Sequence, residues 1–237
     1  DTMRLNIMPN LFSKITSQNG TIKLFSGGKQ HKSLVSVFDV VRSMKFLAEE
    51  NEISNEIFHC SSENTTVKEV AEICQEINHK VDLIVTDDEI PNLGYTTSNK
   101  KILSTGFEFK YPLKECLEEM ITSWSEKDQF KTLELIQKGQ KEFIDERGKI
   151  SNFELTEPIN LIGYIESKAG TVRANHYHPI QEQKCLLISG QYISVLKDLS
   201  VPNSVVETNI INPGDLAVIH PNVAHTMVFL EDSVFLN

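Results

Sequence analysis

From residue 141 onward the sequence is a succession of short runs in which apolar and polar residues alternate, closed by Gly, Pro, Asn or Asp. Lys141–Asp145, Asn160–Glu166, Thr171–His176, Lys184–Ser189, Gln191–Leu196, Val205–Ile211, Leu216–Ile219 and Thr226–Leu230 have strand length and strand period. Alternation puts one side of each run in a core and the other in water. About eight such strands with frequent turns predict an all-β sandwich or barrel. Before residue 140 the pattern differs. Leu11–Thr16 follows Pro9, which suits a first helical turn. Thr21–Phe25 alternates and ends at the turn Gly27-Gly28. Val37, Phe38, Val41, Met44 and Leu47 recur at helical spacing within Val35–Glu50. Thr66 and Glu69 have the spacing of a capping box, in which each side chain satisfies the other residue's N–H, ahead of Val70, Ile73 and Ile77. Glu56–Cys60 and Val81–Thr86 read as strands, and Leu113–Trp124 as an amphipathic helix. Helices alternating with strands predict α/β packing. The polar stretch 127–140 reads as a linker. The expected division is therefore 1–126, 127–140 and 141–237.

A formal charge of −10 argues against nonspecific binding to nucleic acid or an anionic membrane, both of which need a basic surface. No apolar run approaches the roughly 20 residues of a membrane span. Cys60, Cys74, Cys116 and Cys185 are far apart and form no Cys-x-x-Cys, which predicts a reducing, cytoplasmic setting.

Four of the seven histidines lie between residues 176 and 225. His176 and His178 are two apart, so on a strand they face one side. Pro179 makes a turn that can bring Glu182 back beside them, and His225 follows later. Three imidazoles and a carboxylate suit Zn, Mn, Fe or Ni, with one or two positions left open. A His-x-His pair alone is common on a solvated strand. Glu182 and His225, at the spacings of a known motif, turn the expectation toward a metal site. His220, in the turn before His225, reads as a loop residue.

The segment resembles the two motifs of the cupins. Gly170, His176, His178, Glu182 and Gly190 match the first, with seven residues between Glu182 and Gly190 in place of six. Gly214 and His225 match the second, with His220 and Asn222 where Pro and Gly are usual. The resemblance implies a double-stranded β-helix, a small jelly roll with a divalent metal, zinc foremost, on His176, His178, Glu182 and His225. Arg173, His176 and Tyr177 also resemble the Arg-Gly-Leu-His-Tyr motif of the dTDP-4-dehydrorhamnose 3,5-epimerases. In those metal-free enzymes this histidine is the catalytic base, which implies that role for His176. Arg173 suits a sugar-nucleotide diphosphate, since a guanidinium fork matches phosphate; its plainer reading is a rim arginine. The catalytic Tyr of those enzymes falls just beyond the match to Phe235 and Leu236, so the resemblance implies a cupin continuing past Asn237. His178 and Glu182 lie outside the metal-free pattern and favour the metal version.

Residues 1–126 resemble the C-terminal, substrate-binding portion of extended short-chain dehydrogenases/reductases (SDRs), the NAD-dependent sugar epimerase/dehydratase family. The resemblance is carried by the order of Arg4 to Asn10, Ile22 to Lys29, Leu34 to Asp39, Phe58 to Ser61 and Thr66 to Glu69. It implies that Asn10 and Lys32 contact a nucleotide-sugar. Their plainer readings are a helix cap and a solvated turn lysine. The Gly-rich dinucleotide fingerprint and a Tyr-x-x-x-Lys pair are absent. The resemblance thus places NAD(P) in a Rossmann core upstream, and this stretch alone would not transfer hydride. Joined, the two parts resemble bifunctional enzymes of bacterial capsular-polysaccharide biosynthesis. In these a cupin epimerises C3 of a nucleotide-linked 4-keto-6-deoxy sugar and an SDR reduces C4. Both resembled families imply a homodimer.

Overall fold

The structure, a computed structural model, describes all residues except 1–3, 6, 51, 52, 91, 129–132, 146, 147, 154, 156–158 and 160, with backbone alone at 127, 128, 140–144, 148 and 149. It falls into two units, one up to Lys127 and one from Asp128.

The first unit runs α1 (Met8–Ser17), β1 (Thr21–Phe25), β2 (His31–Leu34), α2 (Val37–Glu49), β3 (Glu63–Thr66), α3 (Val67–Ile77), β4 (Asp82–Thr86), α4 (Lys100–Leu103) and α5 (Leu113–Asp128). Strands β1 and β4 pair in parallel. A parallel pair needs a long crossover, and α2 and α3 lie within the intervening chain. Ile22 and Leu24 of β1 are buried, as are Val70, Ala71 and Cys74 of α3 and Phe12 and Ile15 of α1. The capping box forms as its spacing predicts: Thr66 N donates to Glu69 Oε2 at 2.6 Å and Glu69 N to Thr66 Oγ1 at 3.2 Å. Asp39 is fully buried. It accepts from the backbone N–H of Lys110 and Tyr111, each at 3.1 Å, and pairs with Arg42, so it braces α2 against the chain entering α5.

Two expectations change here. Glu56–Cys60 is not a strand; β3 begins at Glu63 and pairs with β2 instead. Among the described residues no strand pairs with Ile57 and Phe58, and Lys101 holds the Ile57 carbonyl at 2.9 Å. Val37, Phe38, Val41 and Met44, whose spacing marks α2, are half or more exposed.

The second unit runs β5 (Glu134–Lys138), β6 (Gln140–Asp145), β7 (Gly148–Asn152), β8 (Tyr164–Ser167), β9 (Val172–His176), β10 (Gln183–Ser189), β11 (Tyr192–Asp198), β12 (Glu207–Ile211), β13 (Asp215–Ile219), β14 (Val223–Phe229) and β15 (Ser233–Leu236). Glu134–Lys138 lies in the stretch expected as linker. It is instead an edge strand antiparallel to β13, with Ile136 opposite the buried Ala217. Strands β6 and β7 form a separate hairpin. The rest make two antiparallel sheets, ordered β5-β13-β10-β15-β8 and β12-β11-β14-β9. Strands β8 to β15 thus cross from one sheet to the other at every step but the β11–β12 hairpin, the order of an eight-stranded jelly roll and the architecture expected for the C-terminal part.

The interior follows from the alternation. Leu187, Tyr192, Ile211, Met227, Phe229 and Phe235 form the main apolar cluster, and Leu196, Ile219 and Val223 a smaller one. Gly190 turns β10 into β11 at φ +88°, where a Cβ would lie 2.5 Å from the Asp232 carbonyl oxygen. Only glycine fits both the backbone angle and the space. Among the described residues no helix is long and apolar enough to cross a membrane, and the four cysteines are free.

Candidate metal centre

Inward positions on β14 are Val223, His225, Met227 and Phe229. His225 therefore stands on an interior face, between the two apolar clusters. Opposite it, in register, is His176 at the end of β9. The β9–β14 register slips between His225 and Thr226, so Asn175 is an extra residue. Ala174 and Asn175 both take left-handed angles, φ 64° and 59°. On a regular strand, residues three apart face opposite ways. The bulge cancels one step, which puts Arg173, opposite the buried Met227, on the same face as His176. Arg173 Nε donates to Ser167 Oγ at 2.5 Å and its Nη2 to the Glu166 carbonyl at 2.8 Å, so β8 fixes the guanidinium.

His178 leaves β9 and is held by its backbone: its carbonyl accepts from Asn222 N–H at 2.8 Å. Asn222 stands where the cupin motif has glycine. It takes φ 63°, a left-handed angle that asparagine tolerates better than most residues, so the turn before His225 is preserved.

His176, His178 and His225 each offer a ring nitrogen, all within 4.8 Å of one another. His176 Nε2 and His178 Nε2 are 3.2 Å apart. His225 Nδ1 lies 3.2 Å from the Val223 carbonyl oxygen, a partner that can only accept, so Nδ1 carries the proton and Nε2 a bare lone pair. That Nε2 is buried and has no hydrogen-bond partner among the described residues. Burial also lowers the His225 pKa, and the two nearby imidazoles add to this while the Val223 carbonyl opposes it. A neutral imidazole with its tautomer fixed and its lone pair turned to a dry space is what a metal ligand requires. An unpartnered nitrogen there otherwise costs about 1–3 kcal/mol. The three imidazoles therefore fit a divalent ion.

Glu182 is not with them. Its carboxylate contacts Lys184 Nζ at 2.9 Å and His220 Nδ1 at 3.2 Å. Lys184 foremost, with His220, holds its carboxyl below the ordinary carboxylate range against some burial. His220, expected as a loop residue, is its partner. The residue near the imidazoles is Gln183, whose Oε1 lies 3.2 Å from His178 Nε2. Its Nε2 donates to Asn237 Oδ1 at 2.9 Å. Burial pushes the Cys185 thiol up to about 12, and this protonated thiol donates to Asn237 Oδ1 at 3.1 Å. Gln183, Cys185 and Asn237 are absent from the expected site. A cavity of about 650 Å³ opens here, lined by His178, Glu182, Gln183 and Asn237 and by apolar residues such as Leu161 and Ile180.

No family model matches the chain. An anthocyanidin reductase from Arabidopsis thaliana is 33% identical over 98 residues, 40% of this chain and 28% of that protein. The chain thus spans less than a third of the curated relative it matches. Similar solved structures include a dTDP-4-dehydrorhamnose 3,5-epimerase from Sulfolobus tokodaii, 23% identical over 45% of this chain and 69% of that one, at a TM-score of 0.39. A QdtA 3,4-ketoisomerase double mutant from Thermoanaerobacterium thermosaccharolyticum, in complex with TDP, is 24% identical over 45% and 79%, at 0.39. The 3'-monoepimerase ChmJ from Streptomyces bikiniensis, in complex with dTDP-quinovose, is 15% identical over 44% and 62%, at 0.39.

The expected contacts of the first unit are apart from one another in role. Asn10 lies inside α1, and its Nδ2 donates to the Arg4 carbonyl at 3.1 Å. Lys32 lies on β2 and lines a cavity of about 330 Å³ with His31, His59, Ser61 and Tyr95.

Proposed function

We propose that the jelly-roll unit is an isomerase of nucleotide-linked 4-keto-6-deoxy sugars that epimerises C3, and that it holds a divalent ion, zinc by preference, on His176, His178 and His225. The observation that carries the reading is the bulge at Ala174 and Asn175, which brings a fixed guanidinium and an imidazole cluster onto one face. Arg173 then binds the diphosphate, and the sugar lies toward the imidazoles. The C3 hydrogen is acidic because the C4 ketone beside it accepts the charge left behind. Removing that proton and returning it on the other face inverts C3. When bound, the ion supplies positive charge for the developing oxyanion.

A second reading is a metal-free isomerase in which His176 Nε2 takes the proton. It is favoured by the exposure of His176. One lone pair serves one role, so bound metal separates the two readings. A third, a metal- and sugar-binding barrel without catalysis, predicts metal without exchange. For the first unit we propose the substrate-binding portion of an extended SDR, with Asn10 and Lys32 toward the nucleotide-sugar. In this scheme an NAD(P)-carrying SDR core reduces C4, the whole acts as a homodimer in the cytoplasm, and the product feeds cell-surface polysaccharide. The test is incubation with a UDP- or dTDP-linked 4-keto-6-deoxyhexose in D2O. The reading expects deuterium at C3 by NMR, reduced at least tenfold in Arg173→Ala. Absence of C3 exchange sinks it.

A further inference from the structure

The fourth position of the centre is decided by strand phase. Gln183 opens β10 and Glu182 immediately precedes it, and their side chains diverge, Gln183 to His178 and Glu182 to Lys184 and His220. Cys185 and Leu187 follow Gln183 at steps of two and are buried to 1% and 0% exposure. Gln183 therefore shares the interior face, while Glu182 turns to Lys184 and His220. The distances agree. His178 Nε2 is 3.2 Å from His176 Nε2 and 3.2 Å from Gln183 Oε1. Donors bound to one ion at about 2.0–2.1 Å stand roughly 2.8–3.4 Å apart, from octahedral to tetrahedral geometry.

The amide is also oriented. Its NH2 end donates to Asn237 Oδ1 at 2.9 Å, which turns the oxygen toward His178. Rotating it would set two acceptor oxygens against each other. Asn237 is itself fixed by paired backbone bonds to Gly163, at 2.9 and 2.6 Å. A partner that orients a ligand is a usual part of a metal site.

We propose that Gln183, and not Glu182, supplies the fourth donor, an amide oxygen, to the divalent ion held by His176, His178 and His225, with Asn237 as its positioning residue. The proposal rests on the reading of the barrel as a metal centre. Its chemical consequence is charge. Three imidazoles and an amide are all neutral, so the ion keeps both positive charges. A carboxylate ligand would cancel one of them. An ion that keeps both would supply undiminished positive charge to an oxyanion developing beside it.

The experiment is a titration of the full chain with Zn2+ alone, with Co2+ absorption as a second readout. Wild type, Gln183→Ala, Gln183→Glu and Glu182→Gln are compared, each checked for folding by circular dichroism. Gln183→Ala is expected to weaken Zn2+ at least about tenfold and to change the Co2+ spectrum. Glu182→Gln is expected to stay within about twofold of wild type. Gln183→Glu, which keeps the oxygen and adds charge, is expected to bind at least about tenfold tighter. If Gln183→Ala does not fold, Gln183→Glu decides alone, and unchanged affinity overturns the proposal. A tenfold loss in Glu182→Gln with none in Gln183→Ala returns the role to Glu182. No loss in either variant means a three-histidine site and also overturns it. A wild-type chain that binds no Zn2+ removes the metal reading itself, which is a different result from all of these.

Discussion

Strand β14 carries two kinds of interior on one face. Met227 and Phe229 pack against Tyr192 and Phe235 in the main apolar cluster. Two residues earlier, His225 is as deeply buried, yet its Nε2 has no partner among the described residues. For the apolar side chains dryness is the stabilising force, at about 25 cal/mol per Å2 removed from water. For the imidazole nitrogen the same dryness is a cost of about 1–3 kcal/mol until something binds it. The barrel's fold comes from the first region, and the second is a place where folding alone would not keep a histidine. This contrast separates a structural residue from a site residue on a single strand.

The largest effect expected from breaking the contrast lies on the apolar side. Phe229→Ala should lower the unfolding free energy by about 3–5 kcal/mol, measured by urea denaturation. A loss under 1 kcal/mol would mean that the cluster is not the core. On the polar side the sign reverses. His225→Leu removes the unpaired nitrogen and should raise the stability of the metal-free chain by about 1–2 kcal/mol, while Zn2+ binding is lost. A destabilised His225→Leu would show that the imidazole serves packing.

The smallest effect is a control in the other unit. Thr66→Ala should cost about 1 kcal/mol by removing the α3 cap. The hydrogen bond from Thr66 N, then those from the Thr65 and Thr66 hydroxyls, hold the Glu69 carboxyl below its ordinary 4.5. With the folded value lowered, the stability that Glu69 contributes is fully present above pH 4.5 and is lost as the pH falls through the folded value. Wild type should lose more stability on acidification than Glu69→Gln, and equal pH profiles would contradict this.

Much of this was legible in residue order. The all-β sandwich-or-barrel class follows from strand-length alternation punctuated by Gly, Pro and Asn, and the jelly roll from the resemblance to the cupin motifs. The three histidines follow from residue type and spacing, and the α3 cap from Thr66 and Glu69. Other features depend on long-range pairing that no local pattern announces. Strand β5 gains its place from β13, and β2 and β3 are polar strands with little apolar signal. Glu56–Cys60 has strand-like residues and, among the described residues, no strand to pair with. The bulge at Asn175 appears only when the β9–β14 register is known. Glu182 is the residue expected from sequence because the turn at Pro179 can return it beside the histidines and its spacing matches the first cupin motif. The signal against it was present: Cys185 and Leu187 continue an inward alternation that begins at Gln183.

The most direct test is metal analysis of the purified full chain after Zn2+ loading and desalting, on wild type and His178→Ala. The three-imidazole centre predicts close to one zinc per wild-type chain and almost none in the variant. A folded wild-type chain that retains no zinc, or a His178→Ala variant that retains it fully, would contradict the account.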